Sequence, residues 1–348
     1  MKNVTIIGAS GFGGVGLIGI LLNHPEFKIK QLIDKINVDE PISNIYPYLK
    51  GFCDIPVTAP EKTDYKDIDL AFFSTPDQVG MTIIQNFYDN NIPVIDFSGD
   101  FRFNSMDDYG VYAANKGMSE EHHSAELLSE AVYGLPEKNF QKINNARIVG
   151  NPGCFAIGMI LGLLPAVEEN IVDADTIICD GKSGVSGAGK SSGEANLYPQ
   201  RYENSNTYRE GKHQHLVEVE NIINIYGKEK RNIFFVPQVI PQNRGILMNI
   251  YCKTNGKIDN KKILNLYNDY YNKMPFVEIS DLPPNTSDVR GSNKCKIRPL
   301  VDERTNTILI TSVIDNLMKG QAGNAVQNAN IMMGFDETLG LNLTPFYP

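Results

Sequence analysis

The chain has 348 residues, 42% of them hydrophobic, with 32 Lys plus Arg against 41 Asp plus Glu, a net charge of -9. That length allows two domains with real cores, and the acidic balance excludes a general nucleic-acid binder, which needs a basic surface. Five scattered cysteines (Cys53, Cys154, Cys179, Cys252, Cys295) without a C-x-x-C pair exclude a disulfide framework and point to a reduced, cytoplasmic protein. Asn3 to Ile7 predicts a first strand ending at Gly8. After a glycine loop, Val15, Leu17, Ile18, Leu21 and Leu22 mark the buried side of a helix that ends near His24-Pro25. Glycines interrupt this apolar N-terminus, which distinguishes it from a signal peptide, and no stretch is long and apolar enough to span a bilayer.

Lys28 to Ile33 predicts a second strand and Asp69 to Phe73 a third. A helix follows Pro76, with Val79, Ile83, Ile84 and Phe87 on one face, and Pro93 to Phe97 is a further strand. This alternation predicts a parallel sheet with helices on both sides. From Ala113 to Asn145 the pattern is less regular, and Arg147 to Gly150 is a short strand. Asn151-Pro152-Gly153-Cys154 then opens a helix over the apolar run FAIGMILGLLP. Beyond Asp175 the texture changes. Strands at Thr176–Cys179, Ile233–Val236, Ile246–Lys253, Val277–Ile279, Lys294–Arg298 and Thr307–Ile314, with few helices between them, predict an α+β domain with a largely antiparallel sheet. A last helix is expected from Gly320 to Met333.

Cys154 is the leading chemical candidate. Open amides and the positive end of the helix dipole favour an anion at a helix start, so a thiol there ionises more readily. A buried structural cysteine is the competing reading. Gly8, Gly11 and Gly14 give G-x-x-G-x-x-G at the first strand–helix turn, where glycines let the backbone approach a pyrophosphate resting on the helix N-terminus. Ser10, Phe12 and Gly13 share that loop, and Ser74-Thr75-Pro76 ends a central strand, where open α/β sheets line their ligand crevice. Gly184 to Ser191 matches the P-loop pattern G-x-x-x-x-G-K-[ST], which raises a nucleotide triphosphatase as a rival. The polar, proline-broken run after it argues against that rival, since a P-loop flows into a long apolar-periodic helix.

His213-Gln214-His215 precedes a helical pattern. Within a helix the two histidines lie about 200° apart and cannot share a site. His215 and Glu218 do share a face, and a carboxylate beside an imidazole orients it as a general acid–base. Zinc is a poor fit, because no further His or Cys has ligand spacing, so no metal is expected. Arg102 is positioned to clamp an anionic group.

GASGFGG, DFSGDFRF, AVYGLPE, GNPGCF, KSGVSGAGK, HQHLVEVE, FVPQVIPQNRG and DNLMKGQAGNAVQN, in that order, resemble the N-acetyl-gamma-glutamyl-phosphate reductases of arginine biosynthesis nearly end to end. The resemblance implies an α/β fold. An NADPH-binding Rossmann domain spans 1–150 and 315–348, with an inserted α+β catalytic and dimerisation domain at 151–314. It implies Cys154 as nucleophile, His215 with Glu218 as acid–base pair, and His213 on the substrate. Arg102, Ser183 and Tyr208 complete the expected substrate set. Ser186, Gly187 and Gly189 of the second glycine loop, with Asn316, join Gly8, Ser10, Gly11, Phe12, Gly13, Gly14, Asp34, Lys35, Ser74 and Pro76 as the expected cofactor set. Asp34 closes the second strand, where an acid usually binds the ribose of NAD. The resemblance implies NADP(H), with Lys35 supplying charge for the 2′-phosphate. Gly13 stands where Thr is usual, Gly99 where Ala is usual, Phe155-Ala156-Ile157 for Tyr-Pro-Thr, and Gln214 and Val217 for Arg and Pro. These departures bear on acyl-group preference, with N-succinyl or carrier-bound aminoadipyl phosphates as alternatives. The expected partners are a small-molecule acyl phosphate and further copies of the chain, as homodimer or homotetramer, with neither nucleic acid nor membrane.

Overall fold

Short β-rich runs bounded by glycine and proline alternate with apolar-periodic segments in the first 150 residues, and the structure resolves them as strands and helices in that order. The computed structural model describes residues 1–190 and 193–346. In chain order the elements are β1 (Lys2–Ile7), α1 (Phe12–Leu21), β2 (Phe27–Ile33), α2 (Ile42–Ile45), β3 (Val57–Thr58), β4 (Leu70–Phe73), α3 (Gly80–Asp89), β5 (Val94–Asp96), α4 (Met106–Lys116), β6 (Ala131–Tyr133), α5 (Pro136–Asn144) and β7 (Ile148–Gly150). They continue as α6 (Cys154–Glu168), β8 (Ile178–Ser183), α7 (Tyr198–Arg201), β9 (Asn206–Thr207), α8 (His215–Tyr226), β10 (Phe234–Val239), β11 (Ile246–Lys253), α9 (Asn260–Tyr271), β12 (Val277–Ile279), β13 (Cys295–Asp302), β14 (Thr307–Ile314) and α10 (Gly323–Met332).

Two compact units emerge from this chain. The first joins 1–110, 120–152 and 321–342, and the second joins 111–119, 153–320 and 343–348. Relative to the bounds read from the sequence, the second unit also takes in 111–119, 315–320 and 343–348, and 151–152 fall in the first. The first unit carries a seven-stranded sheet of order β3-β2-β1-β4-β5-β7-β6, parallel throughout. Its central strands are buried on both faces, and Leu70, Phe72 and Phe73 are 0% exposed. That burial explains why they read as continuous apolar runs. The expected parallel sheet is therefore present, with β3 and β6 as strands too short to carry a periodic signal.

The second unit carries a seven-stranded sheet of order β12-β13-β14-β11-β8-β10-β9. It is mixed and mostly antiparallel, with parallel pairs at β8/β10 and β12/β13. Helix α6 packs on one face. Its residues Phe155 to Val167 are all buried, so it is apolar all round rather than amphipathic. Pro165 inside α6 has no N–H for the Leu161 carbonyl, a defect that costs helix stability. The Tyr271 hydroxyl donates to that carbonyl oxygen at 2.5 Å, and the Tyr267 hydroxyl donates to the Gly162 oxygen at 2.7 Å. The C-terminal helix is preceded by a π-helical turn, Met318–Ala322, so the single helix expected from Gly320 begins as an irregular turn. Among the described residues no helix is long and apolar enough to cross a membrane.

Candidate active site

Helix α6 begins at Cys154, with Gly153 as its N-cap in extended conformation and no side chain capping it. The first-turn amides of such a helix have no intrahelical partner, and the positive end of the helix dipole falls at Cys154. Gly153 is required by what leans on it. A Cβ there would lie 2.2 Å from His215 Nε2 and 2.6 Å from two ring carbons. The imidazole of His215 is thus packed on the backbone next to the nucleophile candidate. On the other side, a Cβ at Gly320 of the π-helical turn would lie 2.9 Å from the Cys154 Cβ. Cys154 is half-buried, and the other four cysteines are buried.

Glu218 sits one turn into α8 from His215 and is 1% exposed. Its Oε1 accepts the Gly153 N–H at 2.8 Å across 65 residues of sequence. Spacing along a helix pairs Glu218 with His215. The fold adds a charge-assisted tie from α8 to the start of α6, which spacing does not reveal.

The condition for separating the two histidines, one helix running through both, is not met. Helix α8 starts at His215, so His213 precedes the first turn and the helical angle does not apply. Their rings are 4.7 Å apart, and the His215 N–H donates to His213 Nδ1 at 3.2 Å. With Nδ1 accepting, the neutral ring carries its proton on Nε2. Burial, reinforced by the charges of Arg209 and Lys116, pushes the His213 pKa down to about 3, so the ring stays neutral at physiological pH. Phe155 lies 5.7 Å from the His213 ring and 6.3 Å from that of His215, and is 2% exposed. This departure from Tyr therefore packs behind the histidines. The Tyr208 ring is 5.7 Å from His213. Burial and the neighbouring Cys154 raise its hydroxyl pKa, partly opposed by Arg209, so it remains a proton donor. Ser183 ends β8, and its hydroxyl donates to the Gly184 carbonyl at 3.1 Å.

In the first unit, Arg102 donates from Nε to the Asn151 carbonyl at 2.8 Å and from Nη2 to the Phe97 carbonyl at 2.6 Å. Those bonds hold the backbone of the Asn151 turn, a task the sequence did not announce for an anion clamp. Asn151 is itself bound by Asn324 Nδ2 at 2.8 Å and Asn328 Nδ2 at 3.2 Å of α10.

The two glycine loops differ sharply. In the first unit Gly8 has φ +78, and a Cβ there would lie 2.3 Å from the Ser74 carbonyl oxygen. A Cβ at Gly14 would lie 2.5 Å from the Gly8 oxygen. A Cβ at Gly13 would lie 2.4 Å from Ser74 Oγ, so the usual threonine would need the Ser74 hydroxyl to turn aside. Helix α1 has Gly11 as N-cap with no side-chain cap and no acid in its first turn, leaving the amides of Phe12, Gly13 and Gly14 open to an anion. Asp34 follows β2, and its carboxylate accepts the Ser10 N–H at 3.1 Å, the Ser10 hydroxyl at 2.5 Å and the Lys35 N–H at 2.7 Å. Lys35 and Pro76 are exposed. This cradle fits a dinucleotide: glycine at each close approach, open amides at the helix start, and an acid at the end of the next strand.

The second loop does not form a P-loop cradle. Val185 N–H donates to Gln242 O at 2.8 Å, Ser186 N–H to Asn243 O at 3.1 Å, Gly187 N–H to Gly184 O at 3.2 Å and Gly189 N–H to Ser186 O at 3.1 Å. A 3-10 turn, Val185–Ala188, replaces the long helix a P-loop needs, and Ser191 of the motif lies outside the described residues. Asn316, expected on the cofactor, has both ends of its amide engaged. Its Nδ2 donates to Ser186 Oγ at 3.0 Å and its Oδ1 accepts the Gly245 N–H at 2.7 Å. Among the described residues no group of three or more His, Cys, Asp or Glu side chains is arranged to hold a metal.

Comparisons with known proteins bear on both units. Residues 3–146 match the family described as semialdehyde dehydrogenase, NAD binding domain, and residues 154–316 match semialdehyde dehydrogenase, dimerisation domain. The first match makes the glycine-loop unit an NAD(P)-binding domain. The N-acetyl-gamma-glutamyl-phosphate reductase of Geobacter sp. (strain M21) is 39% identical, covering 100% of both chains. That of Bacillus cereus (strain B4264) is 38% identical over 99% of both. Among solved structures, aspartate semialdehyde dehydrogenase II of Vibrio cholerae superposes with a TM-score of 0.72 at 20% identity, over 96% of this chain and 98% of that one. The enzyme of Candida albicans, solved with NADP, gives 0.68 at 16% identity over 96% and 98%. These two likenesses show the fold.

Proposed function

The chain belongs to the N-acetyl-gamma-glutamyl-phosphate reductase family of the semialdehyde dehydrogenases, and on that premise we propose that it reduces N-acetyl-gamma-glutamyl phosphate to N-acetylglutamate 5-semialdehyde, with release of phosphate, in arginine biosynthesis. The observation that carries this reading is a cysteine opening a buried helix, with a histidine packed on the backbone beside it. Cys154 loses its thiol proton to His215, and Sγ attacks the carbonyl carbon of the acyl phosphate. The bond from that carbon to the phosphate oxygen breaks, and phosphate leaves and takes up a solvent proton. The substrate is now a thioester on Cys154, so one hard reduction becomes two easier steps. A bound nicotinamide dinucleotide supplies hydride to this thioester. The resulting alkoxide collapses, the C–S bond breaks, and the proton held at His215 returns to sulfur. Open first-turn amides of α6 and the protonated Tyr208 hydroxyl stabilise the oxyanion. Neutral His213 offers its Nε2–H to the substrate. Glu218 keeps α8, and with it His215, in register with the cysteine.

The cofactor in this reading is NADP(H), held by the Gly8–Gly14 cradle. Asp34 is turned onto the Ser10 N–H and hydroxyl and the Lys35 backbone N–H, and the exposed Lys35 side chain is the group we assign to the 2′-phosphate. The second unit also supports a homodimer or homotetramer. On its sheet the register aligns Phe234, Ile178, Tyr251, Leu309 and Leu300 in one cross-strand row, with Phe234 54% and Ile178 43% exposed. We place a second copy against that apolar row. Five unbridged cysteines accord with a cytoplasmic setting.

The test is oxidation of N-acetylglutamate 5-semialdehyde, N-succinylglutamate 5-semialdehyde and an aminoadipate semialdehyde, with and without phosphate, using NADP⁺ or NAD⁺. The expected outcome is phosphate-dependent activity, highest with the N-acetyl substrate and NADP⁺. Turnover that ignores phosphate would reduce the protein to a simple aldehyde dehydrogenase, and a preference for NAD⁺ would assign that selectivity to Asp34.

A further inference from the structure

Glycines on α6 record where that helix lies on its sheet. A Cβ at Gly162 would lie 2.8 Å from Ile250 Cδ1 and 3.5 Å from Ile310 Cγ2, and one at Gly158 would lie 3.8 Å from both Met248 Cβ and Ser312 Oγ. The helix therefore runs along β11 and β14, and Cys154 falls at the end where β11 starts and β14 stops, with Ile246 paired to Ile314. Just beyond that pair stand Arg244 and Gly245 on one strand and Asp315 and Asn316 on the other. Asp315 is 0% exposed. Its Oδ2 accepts the Gly291 N–H at 2.7 Å, and its Oδ1 accepts the Leu317 N–H at 2.9 Å and the Met318 N–H at 3.2 Å. Arg244 donates to the same Oδ1 from Nη2 at 3.1 Å and from Nε at 3.3 Å. The Asp315 backbone carbonyl accepts the Gly320 N–H at 2.9 Å, the wide i+5 to i bond of a π-helix. Gly320 in turn meets the nucleophile: its notional Cβ lies 2.9 Å from Cys154 Cβ, 3.5 Å from Cys154 Cα and 3.2 Å from the Asp315 oxygen.

Asp315 thus grips the π-helical turn twice, by its carboxylate at the start and by its carbonyl at Gly320. Three backbone N–H donors already stabilise the carboxylate as an anion, so a cap alone needs no cation. The guanidinium adds a charged tie from the neighbouring strand, 71 residues away in sequence, and such ties are roughly twice as strong as neutral ones. It locks the turn to the sheet on which α6 rests. Single π-helical turns occur frequently at functional sites. Here the turn sets Gly320 against Cys154, and a misplacement of about 1 Å at a reacting group can cost on the order of 100-fold in rate. Resting on the reaction proposed above, we propose that Asp315 and Arg244 are positioning residues for Cys154: their ion pair fixes the π-helical turn so that Gly320 packs on the nucleophile and holds its sulfur in line for attack.

The test follows the wild type, Arg244→Gln, Arg244→Lys, Gly320→Ala and the double variant Gly320→Ala/Arg244→Gln by two readouts. One is oxidation of N-acetylglutamate 5-semialdehyde with NADP⁺ and phosphate. The other is the rate of Cys154 alkylation by iodoacetamide, followed by peptide mass mapping, which needs no substrate. Arg244→Gln and Gly320→Ala should each lose roughly 10- to 100-fold in kcat, with KM for aldehyde and phosphate within about threefold of wild type. Alkylation of Cys154 should slow in step with kcat. Arg244→Lys, which keeps the charge, should recover most of both rates. The double variant should be little worse than the poorer single one, because both changes act through one contact. Wild-type kcat and alkylation in both single variants would overturn the proposal, as would losses that multiply in the double variant. A raised KM for phosphate or aldehyde with kcat intact would also overturn it, by placing Arg244 on the substrate itself. A wild type that oxidises no acylated semialdehyde would remove the reading of the reaction, and the alkylation rates would then decide this one by the same criteria. Wild-type turnover with unmoved variants would remove this one alone.

Discussion

The loop at Gly8–Gly14 and the loop at Gly184–Lys190 are both glycine-rich and both follow a strand, yet they have opposite uses. In the first, glycines admit backbone contacts as close as 2.3 Å to a notional Cβ and leave the first amides of α1 open. In the second, four amides donate to neighbouring carbonyls and the Asn316 amide secures the turn from both ends. What separates an anion cradle from a motif match is whether the donors are already committed. A sequence pattern records the glycines and not the commitments.

Three substitutions sharpen that contrast. The largest effect is expected from Gly14→Ala, whose Cβ meets backbone atoms at 2.5 and 2.6 Å that cannot move aside. Overpacking of this kind costs about 1–3 kcal/mol, and a displaced cradle should weaken NADPH binding on the order of 100-fold. Fluorescence titration checks this, with circular dichroism to confirm the fold; unchanged affinity would mean that α1 does not hold the pyrophosphate. Next is Asn316→Ala, which strips the Gly245 N–H of its acceptor. An unsatisfied buried group costs about 1–3 kcal/mol, so a thermal melt should show Tm lowered by several degrees, with NADPH affinity falling less than for Gly14→Ala. If affinity falls as far and Tm holds, Asn316 touches the cofactor directly. The smallest effect is expected from Lys190→Ala, at an exposed position. Stability should stay within about 0.5 kcal/mol and turnover should be unchanged. In a true P-loop the same change would abolish nucleotide binding, so a large loss here would reinstate that rival.

Much of this was legible beforehand because local pattern and tertiary role agree. Strands β11, β12 and β14 match their expected bounds, and β1, α1 and β2 lie within a few residues of theirs. The stretch from Ala113 to Asn145 was opaque because α4 mixes apolar and charged residues without a clean apolar period and β6 has only three residues. At the site, the start of a helix at Cys154 was readable from its own neighbours. The placement of His213 beside His215 was not, because the helix starts two residues later than an angular argument assumes. The tie from Glu218 to Gly153 joins residues 65 apart, and no spacing rule spans that distance.

The central claim is a covalent acyl-enzyme at Cys154, and intact-mass spectrometry tests it most directly. The protein is mixed with N-acetyl-gamma-glutamyl phosphate in the absence of reduced cofactor. The account predicts one N-acetylglutamyl adduct per chain, mapped by peptide digestion to Cys154, with one phosphate released for each adduct and none of either in Cys154→Ser. Hydride transfer by a Cys154→Ser preparation at near wild-type rate, or an adduct mapped to Cys53, Cys179, Cys252 or Cys295 instead, would contradict it.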